Sequence, residues 1–315
     1  MRKIIIDCDP GMDDSAAIIY GLKSQKLNTL AITTVNGNYP VDITFRNARR
    51  VLNMMKQNHI PVYRGCSKPM VREAPKDPFS HGEDGQANNN LSDPKYPPQN
   101  KHAVNAIIDI VKENPNEVTI VCLGPLTNVA TAIQLTPEIA PLISKIIAIS
   151  GAFGFNEASF ENATGDTPQS EWNVYVDPEA AKIIYESGIP FTAIGLDVAT
   201  HFSVDFSDDD LKLLNDCEKA EANFLKTSIA FVRNRGFKAY CAIIDCIAVA
   251  YAADEDLVKT IKGRVGVEVK DGLTLGMTVM DRRHHHVWEH LPLIDVAVDA
   301  NYEKFLSDLI QTFIS

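Results

Sequence analysis

The chain has 315 residues, 45% hydrophobic and 23% charged, a balance that suits one large α/β domain or two smaller ones with a sizeable core. Its net charge of −11 argues against a nucleic-acid backbone as partner and leaves cation binding open. Only Ile4-Ile5-Ile6 precede Asp7, too few for a signal-peptide core, and no apolar run approaches the roughly 20 residues that span a bilayer. The cysteines (Cys8, Cys66, Cys122, Cys217, Cys241, Cys246) are scattered without a Cys-x-x-Cys pair, as expected of free thiols in a reducing compartment; the expectation is a cytoplasmic protein that meets no membrane.

In chain order, residues 3–7 predict a short buried strand and 13–23 a helix with Ala16, Ala17, Ile18, Ile19 and Leu22 for its inner face. Strand 30–35, helix 43–55 and a brief strand at 61–63 follow. Residues 66–100, rich in Pro, Asn, Asp and Gly, fit no element. Helix 101–113, strand 118–123, helix 126–135 and strand 145–150 resume the alternation. A second irregular stretch covers 151–171, before helix 178–187 and strand 191–196. Residues 208–253 read as mainly helical. Three strands, at 264–269, 273–280 and 293–298, and a closing helix at 301–313 complete the chain. The β-α-β-α order predicts one α/β domain over 1–315, with a mostly parallel, Rossmann-like central sheet flanked by helices and small peripheral strands near the C-terminus.

The first strand runs into Asp7-Cys8-Asp9-Pro10-Gly11-Met12-Asp13-Asp14, four carboxylates in eight residues. Carboxylates this close repel one another and raise each other's pKa. A bound cation is the usual remedy, and all-oxygen clusters suit Ca²⁺ or Mg²⁺. Helix-start placement accounts for Asp13 and Asp14 one at a time, and a turn accounts for Asp7, but neither accounts for the density. Haloacid-dehalogenase phosphatases also place Asp-x-Asp after a first strand, yet Pro10-Gly11 stands where they carry Gly-Thr. Long loops in a compact domain are usually functional, and ligands of open parallel sheets bind at the carboxyl ends of strands. Asn36-Gly37-Asn38, Gly124-Pro125-Leu126-Thr127-Asn128 and Ser150-Gly151-Ala152 belong to the same rim as the acids.

Taken in order, these residues resemble the nucleoside hydrolases of the inosine-uridine preferring type. The resemblance rests on 7–14, Thr33-Thr34-Val35-Asn36-Gly37-Asn38, His81-Gly82-Glu83-Asp84-Gly85, 124–128, Glu171-Trp172-Asn173-Val174-Tyr175-Val176-Asp177-Pro178-Glu179-Ala180-Ala181 and Gly195-Leu196-Asp197-Val198. It implies a Ca²⁺-dependent N-ribohydrolase. Asp9, Asp14, Asp245 and the main-chain oxygen of Thr127 would hold the ion, and Asp9 would be the general base. Asp13, Asn38, Glu171, Asn173 and Asp245 would bind ribose hydroxyls. The partner implied is a small ribonucleoside, and similar proteins are homo-dimers or homo-tetramers.

The chain departs from the family pattern at Ile244-Asp245-Cys246-Ile247-Ala248, where a histidine usually precedes the metal-binding aspartate. Ile244 cannot protonate a leaving base; if the helix near Ile244 already includes Tyr240, about one turn earlier, Tyr240 is the local substitute as a catalytic residue, the alternative being a tyrosine packed at a helix start. A homologue that keeps the Ca²⁺ site and binds ribose without turnover is the alternative function. Gly165-Asp166 stands where Gly-Asn is frequent, making Asp166 or Asn162 candidate sugar contacts. Ser150 replaces a common methionine and Gln86 a common leucine. Trp172, between two ribose candidates, suits base stacking or core packing alike. His201 reads as a structural hydrogen-bonder and 282–286 (Arg-Arg-His-His-His) as a solvated loop.

Overall fold

Arg2–Cys8 (β1) becomes fully buried from Ile4 onward, with Ile4 and Ile6 packed on one face of the sheet and Ile5 on the other. Burial on both faces is the mark of a strand inside a parallel sheet. The computed structural model of the chain describes residues 1–76, 80–285 and 287–315. After β1 come α1 (Met12–Lys23), β2 (Leu27–Thr34), α2 (Val41–Met54), β3 (Val62–Arg64), α3 (Ala103–Glu113), β4 (Val118–Cys122), α4 (Thr127–Leu135) and β5 (Lys145–Ile149). The chain continues through α5 (Ala158–Glu161), α6 (Trp172–Val176), α7 (Pro178–Tyr185), β6 (Phe191–Ile194), α8 (Leu196–Ala199), α9 (Asp208–Asn215), α10 (Ala220–Asn234) and α11 (Cys246–Ala253). It closes with β7 (Val258–Val267), β8 (Thr278–Asp281), β9 (Ile294–Ala300) and α12 (Tyr302–Ile314).

The strands form a nine-stranded sheet in the order β3-β2-β1-β4-β5-β6-β9-β7-β8. Pairing is parallel from β3 to β9, and β7 runs antiparallel to both β9 and β8. The three late strands thus extend the parallel sheet at one edge. One apolar layer, built on α1, α10, α11 and α12, covers one face; α3, α4 and α7 cover the other.

Strand order reverses between β1 and β4, which pair with Asp7 opposite Cys122. At such a switch point the helices on either side leave in opposite directions and a crevice opens beyond the strand ends. The acidic turn after β1 and Gly124–Asn128 after β4 line that crevice. Among the described residues no helix is long and apolar enough to cross a membrane, and the six cysteines are free thiols.

Candidate active site

Gly11 caps α1, which places Asp13 and Asp14 in its first turn. The turn is pulled tight by Asp14, whose Oδ1 accepts the Asp9 N–H and whose Oδ2 accepts the Gly11 N–H, each at 3.0 Å. Asp245 stands immediately before α11, which packs against α1, and its side chain makes no cap hydrogen bond. Carboxylate oxygens of Asp13, Asp14 and Asp245 lie within 4.8 Å of one another, and all three residues are buried. Asp9 stands beside this triplet. Its Oδ2 accepts the Asn38 N–H at 2.6 Å, and its Oδ1 is buried with no hydrogen-bond partner among the described residues. Asp9 fits there because two glycines give way. A Cβ on Gly37 would sit 1.9 Å from Asp9 Oδ2, and one on Gly124 2.5 Å from Asp9 Oδ1.

Electrostatics decide what the cluster needs. Burial, then the charge of Asp14, holds the Asp9 carboxyl well above the usual carboxylate range. Burial and the charges of Asp13, Asp14, Asp9 and Glu171 do the same to Asp245. Burial and Asp13 push Asp14 up to about 6. Charge at a helix N-terminus stabilises by about 0.3–1 kcal/mol, whereas desolvating each ion costs several kcal/mol. The dipole alone therefore cannot hold four acids ionised. The donor set fits a hard divalent cation: three buried carboxylates from the starts of two helices, with an orphaned acid oxygen next to them.

Asp7, in contrast, faces away from the triplet and serves the scaffold. Its Oδ1 accepts Thr33 Oγ1–H at 2.6 Å and Asn128 Nδ2–H at 2.8 Å, and burial lifts its pKa to about 7. Asn128 also donates to Thr34 O and accepts the Cys66 N–H, so one side chain ties the ends of β1 and β2 to the loop after β3. Thr127, the first residue of α4, donates its hydroxyl to Asp177 Oδ2 at 2.6 Å; Asp177 also takes the Met70 N–H and caps α7.

The ribose candidates sit on α6 and the β2–α2 turn. Glu171 caps α6 and accepts N–H groups from Asn173, Val174 and Gly151; burial raises it to about 7. Asn173 Nδ2 donates to Leu123 O at 2.7 Å and Ile149 O at 3.1 Å, bridging the ends of β4 and β5. With both amide hydrogens engaged, its oxygen is the atom left to meet a ligand. Asn38 contacts Asp9 O and Asp14 Oδ2 through its amide at 3.4 Å. Trp172 stacks on Tyr175, ring centroids 6.1 Å apart, with its indole N–H buried and unpartnered among the described residues.

Tyr240 lies in a 3-10 turn, Ala239–Ala242, not in α11, which begins six residues later at Cys246. The turn is separate because the backbone leaves helical geometry at Ile243, φ −143° and ψ 15°. The Tyr240 hydroxyl donates to Asn162 Oδ1 at 2.8 Å, and burial raises its pKa to about 12. Asn162 donates in turn to Thr200, so its side chain is committed to protein partners instead of a sugar. Asp166 stands against Tyr175, not in the acid triplet. Ile244 packs against the apolar core.

Sequence reasoning assigned no role to His81, although its loop was conspicuous. His81 Nδ1 accepts the Met12 N–H at 3.3 Å and lies 3.5 Å from Asp13 Oδ1. His201 accepts the Ser203 N–H and stacks flat on Tyr302, centroids 4.5 Å apart, in keeping with a structural role. In the 282–286 loop Arg283 pairs with Asp281 and the described histidines, His284 and His285, are exposed; His286 lies outside the described residues.

Residues 4–307 match the family model of the inosine-uridine preferring nucleoside hydrolases. The chain belongs to that family. The pyrimidine-specific ribonucleoside hydrolase RihA of Salmonella arizonae is 35% identical over 312 residues, covering 98% of this chain and 97% of the relative. RihA of Shigella boydii is 34% identical, covering 96% and 95%. Among solved structures, a plant nucleoside hydrolase superposes with a TM-score of 0.87 at 30% identity, covering 100% of this chain and 99% of its own. A purine-preferring ribonucleoside hydrolase from Gardnerella vaginalis gives 0.85 at 29%, covering 99% and 98%. This nucleoside hydrolase is thus an enzyme of N-glycosyl bonds, and the phosphatase reading of its Asp-x-Asp turn falls.

Proposed function

We propose that the enzyme holds one Ca²⁺ on Asp9, Asp14, Asp245 and the Thr127 main-chain oxygen, and hydrolyses ribonucleosides to free base and ribose. The buried Asp13–Asp14–Asp245 triplet, with the orphaned Asp9 oxygen beside it, supports this reading. When bound, Ca²⁺ takes about 6–8 oxygens, offsets the acid charge and lowers the pKa of water. Asp9 accepts the proton of the attacking water. Asp13, Asn38, Glu171, Asn173 and Asp245 bind ribose hydroxyls. Their oxygens stabilise the positive charge that grows on the sugar ring as the N-glycosidic bond breaks. The active species is a homo-dimer or homo-tetramer, which light scattering measures.

A panel of ribonucleosides, assayed with Ca²⁺ and after chelation, tests the reading. Free base and ribose are expected, with pyrimidine nucleosides cleaved best given the specificity named for the RihA relatives, and with turnover lost on chelation. Absence of ribose from every nucleoside sinks the activity, and full turnover in chelator sinks the cation.

Tyr240 is the proposed donor to the departing base, which competes with Asn162 for its hydroxyl proton. Tyr240→Phe is expected to lower cleavage of ordinary nucleosides by about 10²-fold, within the range of general acid catalysis. Cleavage of a nitrophenyl riboside, whose leaving group needs no proton, changes little. Equal losses on both substrates assign Tyr240 to holding the 151–171 loop through Asn162.

A further inference from the structure

The acidic turn between Asp9 and Asp13 has three successive main-chain carbonyls that accept side-chain donors, two from distant segments and one from Ser15 in α1. Asn38 Nδ2 reaches Asp9 O at 3.4 Å, Asn47 Nδ2 reaches Pro10 O at 3.1 Å, and the Ser15 hydroxyl donates to Gly11 O at 2.5 Å. Behind Ser15 stands Gln86, fully buried. Its Nε2 donates to Ser15 Oγ at 2.9 Å and to Asn47 O at 3.4 Å, while its Oε1 is buried with no partner among the described residues. Asn47 Nδ2 also donates to Asp84 O at 3.2 Å. The Asp84 carboxylate gathers the N–H groups of Gln86, Asn88 and Asn90, and Asn89 anchors its amide on Gln86 O and Ser228. The loop that carries His81 is therefore a braced support behind the turn.

We infer that Gln86, acting with Asn47 and Ser15, is a positioning residue that holds the acidic turn in its cation-binding geometry before the cation arrives. The inference rests on the cation reading above. Repulsion among Asp9, Asp13 and Asp14, when ionised without a cation, works against the closed turn, and carbonyl anchors outside the carboxylate cluster oppose it without supplying charge. The Gln86 side chain hydrogen-bonds Ser15 and Asn47, not Asp9, Asp13, Asp14 or Asp245. It gives Ser15 a fixed donor, which leaves the Ser15 hydroxyl hydrogen free for Gly11 O alone.

A polar brace with an orphaned oxygen has a distinctive signature. Replacing one partner of a buried hydrogen bond by an apolar group leaves the other partner short of a bond and costs stability, a cost that loss of the orphaned Gln86 Oε1 partly offsets. Removing a group that orients metal ligands costs about 10–100-fold in metal affinity or activity. Gln86→Leu is therefore expected to fold, with a modestly lowered melting temperature in chelator, and to bind Ca²⁺ about tenfold more weakly by titration calorimetry with Ca²⁺ alone. Ser15→Ala, which breaks the same chain one link nearer the turn, shifts the Ca²⁺ Kd in the same direction. Gln86→Asn, too short to reach Ser15 but still an amide, does not restore it. A wild-type Kd within twofold in both Gln86→Leu and Ser15→Ala overturns the inference while leaving the cation reading intact. Failure of the wild-type protein to bind Ca²⁺ removes the cation reading and this inference with it.

Discussion

Asp9→Asn is expected to fold like the wild type and to lose about 10²–10⁴-fold in kcat at saturating Ca²⁺, the range supplied by a general base. The amide keeps one oxygen for the Asn38 N–H, which now reaches Asp9 Oδ2 at 2.6 Å. Its NH₂ then occupies the position of the orphaned Oδ1, where it cannot take a proton from water. Folding is preserved because the change removes one charge from a cluster in which burial and Asp14 already hold the Asp9 proton affinity well above the usual range. The melting temperature in chelator is expected to stay level or rise. The decisive comparison is single-turnover cleavage of the best nucleoside with the Ca²⁺ Kd measured alongside. A variant that binds Ca²⁺ and turns over near the wild-type rate shows that Asp9 is not the base.

Much of this architecture is legible in the chain because its signals are local. The apolar run Ile4–Ile6 ending in Asp7 marks both a buried strand and the rim at which it ends. The repeated strand–helix alternation up to residue 196 predicts the parallel order that the sheet adopts. Where the signal is two-sided it fades. β7 begins at Val258, six residues before the predicted start, because Lys259, Thr260 and Lys262 alternate with buried positions only partly and read as solvated chain. α6 has five residues, less than two turns, so no period is visible; Glu171 capping it and Asp177 closing it are the only local marks.

The site divides in the same way. Acids from one turn are readable together, and the late Asp245 is placed by resemblance. The polar groups that position them come from far along the chain: Gln86 lies 71 residues from Ser15, Asn128 121 residues from Asp7, and Asn162 78 residues from Tyr240. A buried glutamine in a loop announces nothing until its partner is known. His81 could have been found, since a histidine in a Gly-rich family-like segment is a candidate to face the crevice. The separation of Tyr240 from α11 could not, because no local residue marks the break between the 3-10 turn at Ala239–Ala242 and the helix start at Cys246.

Metal-free enzyme is expected to be less stable at pH 8 than at pH 5, and Ca²⁺ is expected to narrow that difference. The sign follows from proton counting. Asp14 titrates near 6 and Asp7 and Glu171 near 7 in the folded protein, with Asp9 and Asp245 also raised, all chiefly because burial disfavours their charge. In the unfolded chain such carboxyls titrate near 4. Between about pH 4 and pH 7 the folded state therefore binds more protons, and its stability falls as pH rises through that window. Ca²⁺ takes the deprotonated acids, so it binds the folded state at pH 8 with little competition from protons and at pH 5 with much. At a concentration about 100-fold above its Kd, the ion adds roughly 2.7 kcal/mol. For 315 residues, at roughly 2.1 cal/mol/K of unfolding entropy each, that is a rise of about 4 °C in melting temperature. The measurement is a set of melting curves at pH 5 and pH 8, in chelator and in Ca²⁺. Asp245→Asn should flatten the chelator curve, since one strongly raised acid is gone, and shrink the Ca²⁺ rise at pH 8. A chelator curve that instead climbs between pH 5 and pH 8 would mean that the acids are already compensated within the protein, with no charge left for a cation to offset.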